Sequence, residues 1–525
     1  MHTDALHAPP LMAQLMIEGL NRHDDRPCLL LGDAVLSYAQ VRDAASRMVQ
    51  VLQSQGLGVG SRVAVLSGNR PELLANLAAM QITGCCGTTL HPLGSLDDHA
   101  HVLQDAAIGT LIYDAPAFEQ RAAELRERVP GLARLLALGP TAVGEDYLEL
   151  ARRHTPQPLV APAVAPDDVT SIVYTGGTTG KPKGVMLTAR GTAYLCMLQM
   201  AEWEFPQDLR MLICTPLSHA AAAFFVPVLQ RGGAFYVSRG FAPDEFFDMV
   251  ERHRITATML VPVMIYRLLD APRAATADLS SLQTVFYGAS AISPQRLQEA
   301  LQRWGPIFTQ FFGQSEAPMA LAQLRRREHE LSQPQRLASC GRPTPWMHLA
   351  LLDEQHRPVA AGEPGEICVR GPLVMQGYLG LPEQTAEAFA GGWLHTGDIG
   401  RIDDDGYLYI VDRKKDMIVS GGFNVFPREV EDVLSAHPAV AQVAVIGVPD
   451  ARWGEAVKAL IVLRPATPGD AALADELVEL VRQAKGPVQA PKSVDFVASI
   501  PLTPVGKPDK KALRELHWAG ANRRV

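Results

Sequence analysis

The densest chemical signal in the sequence is the run Tyr174-Thr175-Gly176-Gly177-Thr178-Thr179-Gly180-Lys181-Pro182-Lys183-Gly184-Val185. Its glycines let backbone N–H groups approach a ligand closely, its threonine hydroxyls add donors, and its two lysines add positive charge. That combination suits a polyphosphate. A Walker A loop needs Gly, any four residues, then Gly-Lys-Ser/Thr. Here the residue five before Gly180 is Thr175, and Lys181 is followed by Pro182, so the run is not a Walker A loop.

Further segments of the same kind follow along the chain. They are Tyr287-Gly288-Ala289-Ser290-Ala291-Ile292, Phe311-Phe312-Gly313-Gln314-Ser315-Glu316, Trp393-Leu394-His395-Thr396-Gly397-Asp398 and Ile500-Pro501-Leu502-Thr503-Pro504-Val505-Gly506-Lys507. Taken singly, Glu316 reads as a solvated loop carboxylate, Asp398 as a turn former and Lys507, near Lys510 and Lys511, as a solvated charge. In this order and together they resemble the adenylate-forming enzymes: acyl-CoA synthetases, aryl-CoA ligases, luciferases and the adenylation domains of peptide synthetases. The resemblance runs from about residue 10 to about residue 515.

The resemblance implies a role for each matched residue. Thr175, Gly176, Gly177, Thr178, Thr179, Gly180 and Lys183 would hold the phosphates of ATP. Gly288, Ala289 and Ser290 would line the adenine, with Ala291 where relatives carry Pro. Phe312, Gly313 and Ser315 belong to the aromatic-Gly-x-Thr-Glu motif, Ser315 replacing the usual Thr. Its Glu316, with Thr175, would hold Mg²⁺ on the phosphates, a role suited to hard oxygen ligands. Asp398 would accept hydrogen bonds from the ribose hydroxyls and Arg413 would contact the ribose. Lys507 would be the catalytic lysine. Asp412-Arg413-Lys414-Lys415-Asp416 resembles the family's hinge with Lys415 as its pivot, and Gly421, Gly422 and Phe423 would border the tunnel for coenzyme A. His219, followed by alanines at 220–223, matches the family's gate histidine; on its own it reads equally well as a core histidine.

The chemistry these roles require is self-consistent. A carboxylic acid is ionised at neutral pH, so forming an acyl-adenylate needs charge neutralisation and positioning, not a base. The adenylate then makes AMP a good leaving group, and a thiol with a pKa near 8.5 can attack without an enzyme cysteine. Small residues after His219, with no Arg or Lys among them, favour a medium- or long-chain fatty acid or a bulky alicyclic or aromatic acid, and disfavour acetate and malonate. The expected activity is thus an ATP-dependent, AMP-forming acyl-CoA synthetase. The alternative is an adenylating ligase that loads a separate carrier protein.

The elements that must position these residues read as α/β. Apolar residues recur at helical spacing over 37–55 and 71–82, and short apolar runs at 62–66, 171–174, 211–215, 234–237, 257–260 and 284–287 read as strands. After about residue 345 come short strands with turn signals, at 348–353, 365–370 and 407–411. Beyond residue 416, Pro427 opens a helix over 428–434, with strands at 441–448, 456–462 and 494–498 and a helix at 470–484. This predicts a large layered α/β body with a β-rich distal part and a small mobile α+β lid. The divisions are an AMP-binding domain over 1–412, a hinge at 413–416 and a lid over 417–525.

Length and composition frame the same picture. A chain of 525 residues exceeds a single domain, and 48 basic against 56 acidic residues give a net charge of −8. A mildly acidic chain with 6% aromatic residues argues against nucleic acid as a partner. No secretory signal and no transmembrane segment is visible, and the cytoplasm is the expected compartment. The seven cysteines show no CxxC spacing and read as small buried hydrophobes. A homodimer is compatible with these features.

Overall fold

In the computed structural model, the described residues are 9–518 apart from 33, 176–181, 219, 414, 415, 421, 422, 451, 466, 503–507 and the side chain of Asn424. The α/β reading holds, and most elements form where local pattern put them. Helix Tyr38–Ser54 starts because the Ser37 hydroxyl accepts from the Gln40 N–H while the Gln40 side chain accepts from the Ser37 N–H. Helix Pro71–Thr83 begins on proline and stops at Gly84, whose φ of +82° ends the helical path.

The body, read from sequence as a single layered unit, is divided between two large sheets. In the first, strands Val169–Thr175 and Lys183–Thr188 form an antiparallel pair at one side of the parallel strands Cys86–Thr89, Arg62–Leu66, Thr110–Tyr113 and Arg134–Ala137. In the second, strands Phe308–Gln314, Thr284–Gly288, Ala257–Leu260, Arg210–Ile213, Ala234–Val237 and Pro27–Leu31 lie parallel in that order. Strand Pro27–Leu31 lies in the same sheet as Ala234–Val237, a pairing across about 200 residues of chain that no local pattern reveals.

The β-rich distal part is a four-stranded antiparallel sheet of His348–Leu352, Gly365–Arg370, Leu394–Ile402 and Leu408–Arg413. The small C-terminal domain has its own core, in which Ile418, Val430, Leu434, Val445, Val457, Ile461, Leu477 and Val481 are fully buried. Its helix Pro427–Ser435 carries Pro at its first position, and helix Ala471–Lys485 is capped by Asp470, which accepts from the Leu473 N–H. Among the described residues no helix is long and apolar enough to cross a membrane.

Candidate active site

Parallel strands expose their carboxyl ends on one side of a sheet, and the turns there are where such sheets bind ligands. Thr284–Gly288 and Phe308–Gln314 are adjacent parallel strands with Gly288 opposite Phe311. The segment Gly288 to Ser290 and the segment Phe312 to Glu316 therefore emerge side by side. Gly288 is required sterically: a Cβ there would lie 2.4 Å from the Phe311 carbonyl oxygen. The next residue, Ala289, takes φ +64°, a left-handed conformation that costs a non-glycine residue energy. Ser315 and Glu316 form the turn into strand Ala317–Leu324. Gly313 is equally constrained, since a Cβ would meet the Met319 nitrogen at 2.2 Å.

On the other sheet, Thr175 closes one strand and faces Lys183, which opens the next. Gly176, Gly177, Thr178, Thr179 and Gly180 lie outside the described residues. The two sheets are joined at this point by a strap that sequence reasoning missed. Along residues 375–379, the Met375 N–H donates to the Glu316 carbonyl at 2.8 Å, the Gln376 N–H to Met186 at 2.9 Å and the Leu379 N–H to Gly184 at 2.8 Å. Within the strap, the Tyr378 hydroxyl donates to Glu316 Oε1 at 2.8 Å, and the Lys183 ammonium sits 5.1 Å from the centre of the Tyr378 ring. Burial, followed by the Glu316 charge and this hydrogen bond, raises the Tyr378 phenol above its ordinary value, so it stays a donor. Glu316 and Lys183 are thus brought onto one side chain. Nothing in the Gly377-Tyr378 dipeptide pointed to this, because its partners lie far away along the chain.

Asp398 is almost fully buried on strand Leu394–Ile402, and its carboxylate meets Arg413 Nε at 2.7 Å across the antiparallel register with strand Leu408–Arg413. The turn before it is braced from below. Gly397, at φ +71°, donates its N–H to Glu366 Oε1 at 3.1 Å; the other oxygen of Glu366 meets His395 Nδ1 at 2.9 Å. His395 Nε2 lies 3.1 Å from the Ala390 carbonyl, and Cys368 Sγ lies 3.4 Å from Nδ1. Glu366, Cys368 and His395 are close enough to offer three metal ligands, but these contacts already employ them as a brace for the turn that carries Asp398. Neither Glu366 nor His395 was singled out in the sequence; a buried carboxylate on an alternating strand was the available signal.

A second brace lies ahead of His219. The Asn69 side chain accepts from the Leu217 N–H at 2.9 Å and donates to the Thr215 and Ser238 carbonyls, each at 3.0 Å. The alanines at 220–223 begin the short helix Ala220–Phe224, whose Phe224 packs on Trp203 and Phe286 with ring centres 5.3 Å apart in each case. Under Gly288, the buried Tyr287 hydroxyl meets His329 Nε2 at 2.9 Å, while His329 Nδ1 meets the Arg325 carbonyl at 2.9 Å. Burial lowers the His329 pKa to about 4, opposed by its bond to Arg325.

The small C-terminal domain meets the body through Arg428. Its N–H donates to Asp412 Oδ2 at 2.8 Å and its guanidinium to the Ile292 carbonyl at 3.3 Å and to Asp432 at 2.8 Å. Nearby, Lys510 pairs with Glu431 at 2.7 Å and Arg514 with Asp416 at 2.8 Å. Phe423 is 61% exposed on its strand. His219, Lys415, Gly421, Gly422 and Lys507 lie outside the described residues. All seven cysteines are buried, and none is in a disulfide. Burial pushes the thiols of Cys28, Cys85, Cys196, Cys214 and Cys340 up to about 12, so none is poised as a nucleophile.

The antiparallel pair Val169–Thr175 and Lys183–Thr188, the Glu316 carboxylate tied to it through Tyr378, and the buried Asp398–Arg413 pair carry the motifs through which the sequence resembles the adenylate-forming, acid-activating ligases. Comparison with known proteins agrees. The AMP-binding enzyme family model matches residues 18–379, and the model for the AMP-binding enzyme C-terminal domain matches residues 429–507. The chain belongs to the AMP-binding enzyme family, and it is an acid–thiol ligase. A medium/long-chain-fatty-acid–CoA ligase, FadD8 of Mycobacterium tuberculosis, is 52% identical, over 99% of this chain and 93% of the relative. A feruloyl-CoA synthase of an Amycolatopsis species is 37% identical over 91% of this chain and 93% of its own. Among solved structures, the amide bond synthetase McbA of Marinactinospora thermotolerans superposes with a TM-score of 0.88 at 33% identity, covering 96% of this chain and 99% of that one.

Proposed function

We propose that the protein joins a medium- or long-chain fatty acid to coenzyme A, using ATP and passing through an acyl-adenylate. In the first step a carboxylate oxygen attacks the α-phosphorus of ATP and pyrophosphate leaves; in the second the CoA sulfur attacks the acyl carbonyl and AMP leaves. The observation that carries this reading is the meeting of Lys183 and Glu316 on Tyr378, which sets a cation and a hard-oxygen ligand within one small frame. The fatty acid is preferred to an aromatic one because, of the relatives named above, the fatty-acid–CoA ligase is more similar than the feruloyl-CoA synthase, 52% against 37% identical.

In this reading Lys183 and the donors of residues 175–180 bind the phosphates, Gly288, Ala289 and Ser290 receive the adenine, Phe312, Gly313 and Ser315 contact the nucleotide, and Asp398 with Arg413 orients the ribose. The oxygen donors of Glu316 and Thr175 fit Mg²⁺, a metal that seeks carboxylate and hydroxyl oxygen. That ion supplies charge neutralisation on the phosphates when bound. Lys507 adds positive charge at the reacting phosphate, Lys415 is the pivot of the lid, and Gly421, Gly422 and Phe423 line the approach of CoA past His219.

The test is pyrophosphate exchange into ATP across a panel of acids, with product mass measured in the presence and absence of CoA. Exchange with C8 to C18 acids, and acyl-CoA only when CoA is added, is the expected result. A preference for acetate or malonate would overturn the proposed acid class, and acyl-adenylate that CoA cannot consume would point to a carrier-protein acceptor.

A further inference from the structure

We propose that Tyr378 is a positioning residue for metal-assisted ATP binding: it fixes the Glu316 carboxylate so that one chosen oxygen faces the metal. The proposal rests on the reading of Glu316 as the residue that holds Mg²⁺. A carboxylate on a two-residue turn can rotate about its last torsion and offer either oxygen, or both. Here the rotation is locked. The Tyr378 hydroxyl occupies Oε1 at 2.8 Å, and among the described residues no donor pairs with Oε2. A small divalent ion that demands near-octahedral geometry and takes one carboxylate oxygen benefits from such a single-oxygen presentation.

The donor is itself held from two directions. Its backbone N–H bonds to Thr385 Oγ1 at 3.0 Å, and its strand, Gly377–Tyr378, pairs with Lys183–Thr188 so that Tyr378 lies opposite Val185. The same ring carries the Lys183 ammonium on its face at 5.1 Å. A phenol that donates to a carboxylate has a more electron-rich ring and attracts a cation more strongly. Lys183, Tyr378 and Glu316 therefore form a polarised relay from cation through aromatic ring to anion. The relay keeps the lysine and the carboxylate apart, so that they do not neutralise each other by direct pairing before ATP arrives. Tyr378 acts on the ligand only through these two neighbours.

The experiment is calorimetric ATP binding with and without Mg²⁺ for the wild type, Tyr378→Phe, Glu316→Gln and the double variant. The quantity read is the factor by which Mg²⁺ tightens ATP binding, which does not depend on turnover. Tyr378→Phe keeps the ring and removes only the hydroxyl, so metal-free binding should stay within about twofold while the Mg²⁺ factor falls about tenfold, as expected for a lost hydrogen bond to a charged group. Glu316→Gln should lose at least as much, and the double variant no more than Glu316→Gln alone, since both changes act through one carboxylate. A full Mg²⁺ factor in Tyr378→Phe beside a lost one in Glu316→Gln would overturn the role of Tyr378 and leave Glu316 standing. A full factor in Glu316→Gln would overturn the underlying reading of the metal ligand. A variant that loses metal-free and metal-assisted binding equally would show Tyr378 to be merely structural.

Discussion

Acidification should destabilise the body through His329, by an amount the structure allows to be worked out. His329 is 3% exposed, and both ring nitrogens are engaged. The Arg325 carbonyl can only accept, so Nδ1 carries the proton and the neutral ring leaves Nε2 to accept from the Tyr287 hydroxyl. Protonation of Nε2 would reverse that bond one residue before Gly288: the ring N–H would donate to the Tyr287 oxygen, and the Tyr287 hydroxyl would turn to Gln310 Oε1, 3.3 Å away. Burial holds the folded-state pKa at about 4, against 6.5 for the free side chain. As pH falls through 6.5 the unfolded chain takes up a proton that the folded chain refuses, so stability present above 6.5 is progressively lost until about pH 4. A depression of this size corresponds to about 3 kcal/mol in full, of which about 2 kcal/mol is lost between pH 7 and pH 5. Urea denaturation of the wild type and His329→Gln at both pH values isolates the effect, because every other titrating group is common to the two. The variant should start less stable and show a pH loss smaller by about 2 kcal/mol. Equal losses would refute a neutral, buried His329.

Three further outcomes follow from the geometry. Gly288→Ala must push the Thr284–Gly288 and Phe308–Gln314 strands apart around the Phe311 carbonyl, costing about 1–3 kcal/mol in a denaturant titration; ATP affinity, read by calorimetry, should fall as well, and an unchanged midpoint would contradict the packing. Asn69→Leu strands the Leu217 N–H and two carbonyls, and about 3 kcal/mol of stability should disappear; a loss below about 1 kcal/mol would mean that water replaces the amide. With a disulfide reagent at pH 8, no cysteine should react rapidly in the native protein and seven should react once it is denatured; a fast native thiol would contradict their burial.

Local structure was legible where local chemistry decides it. The helix predicted at 428–434 from a single proline forms as Pro427–Ser435, and the strand predicted at 257–260 forms as Ala257–Leu260, because first-turn geometry and apolar runs are properties of neighbouring residues. The division of the body into two sheets was not legible, since it depends on pairings such as Leu29 with Phe235 that only the folded chain brings together. The site followed the same rule. Motifs marked Lys183 by its place in a dense run of phosphate donors, and Glu316 and Asp398 only through their resemblance to a family, since each taken alone reads as an ordinary loop residue. Tyr378, Glu366 and Asn69 escaped because each serves a residue distant in sequence; His395 lies inside a quoted motif but received no role, because the Glu366 carboxylate it meets is 29 residues away.

The Arg428 contact carries a consequence for nucleotide affinity. Its guanidinium reaches the carbonyl of Ile292, three residues from Ala289, so the lid is fastened partly to the loop that the proposed adenine site uses. If the small domain turns about Lys415 as proposed, its movement must alter that contact, and a nucleotide-induced change in the loop must alter docking of the domain. By linkage the two influences are equal in size: whatever factor the docked lid adds to nucleotide affinity, bound nucleotide adds to lid docking. Under the proposed roles, nucleotide affinity and docking of the small C-terminal domain are coupled through this contact, and weakening Arg428 should change nucleotide affinity measured by calorimetry.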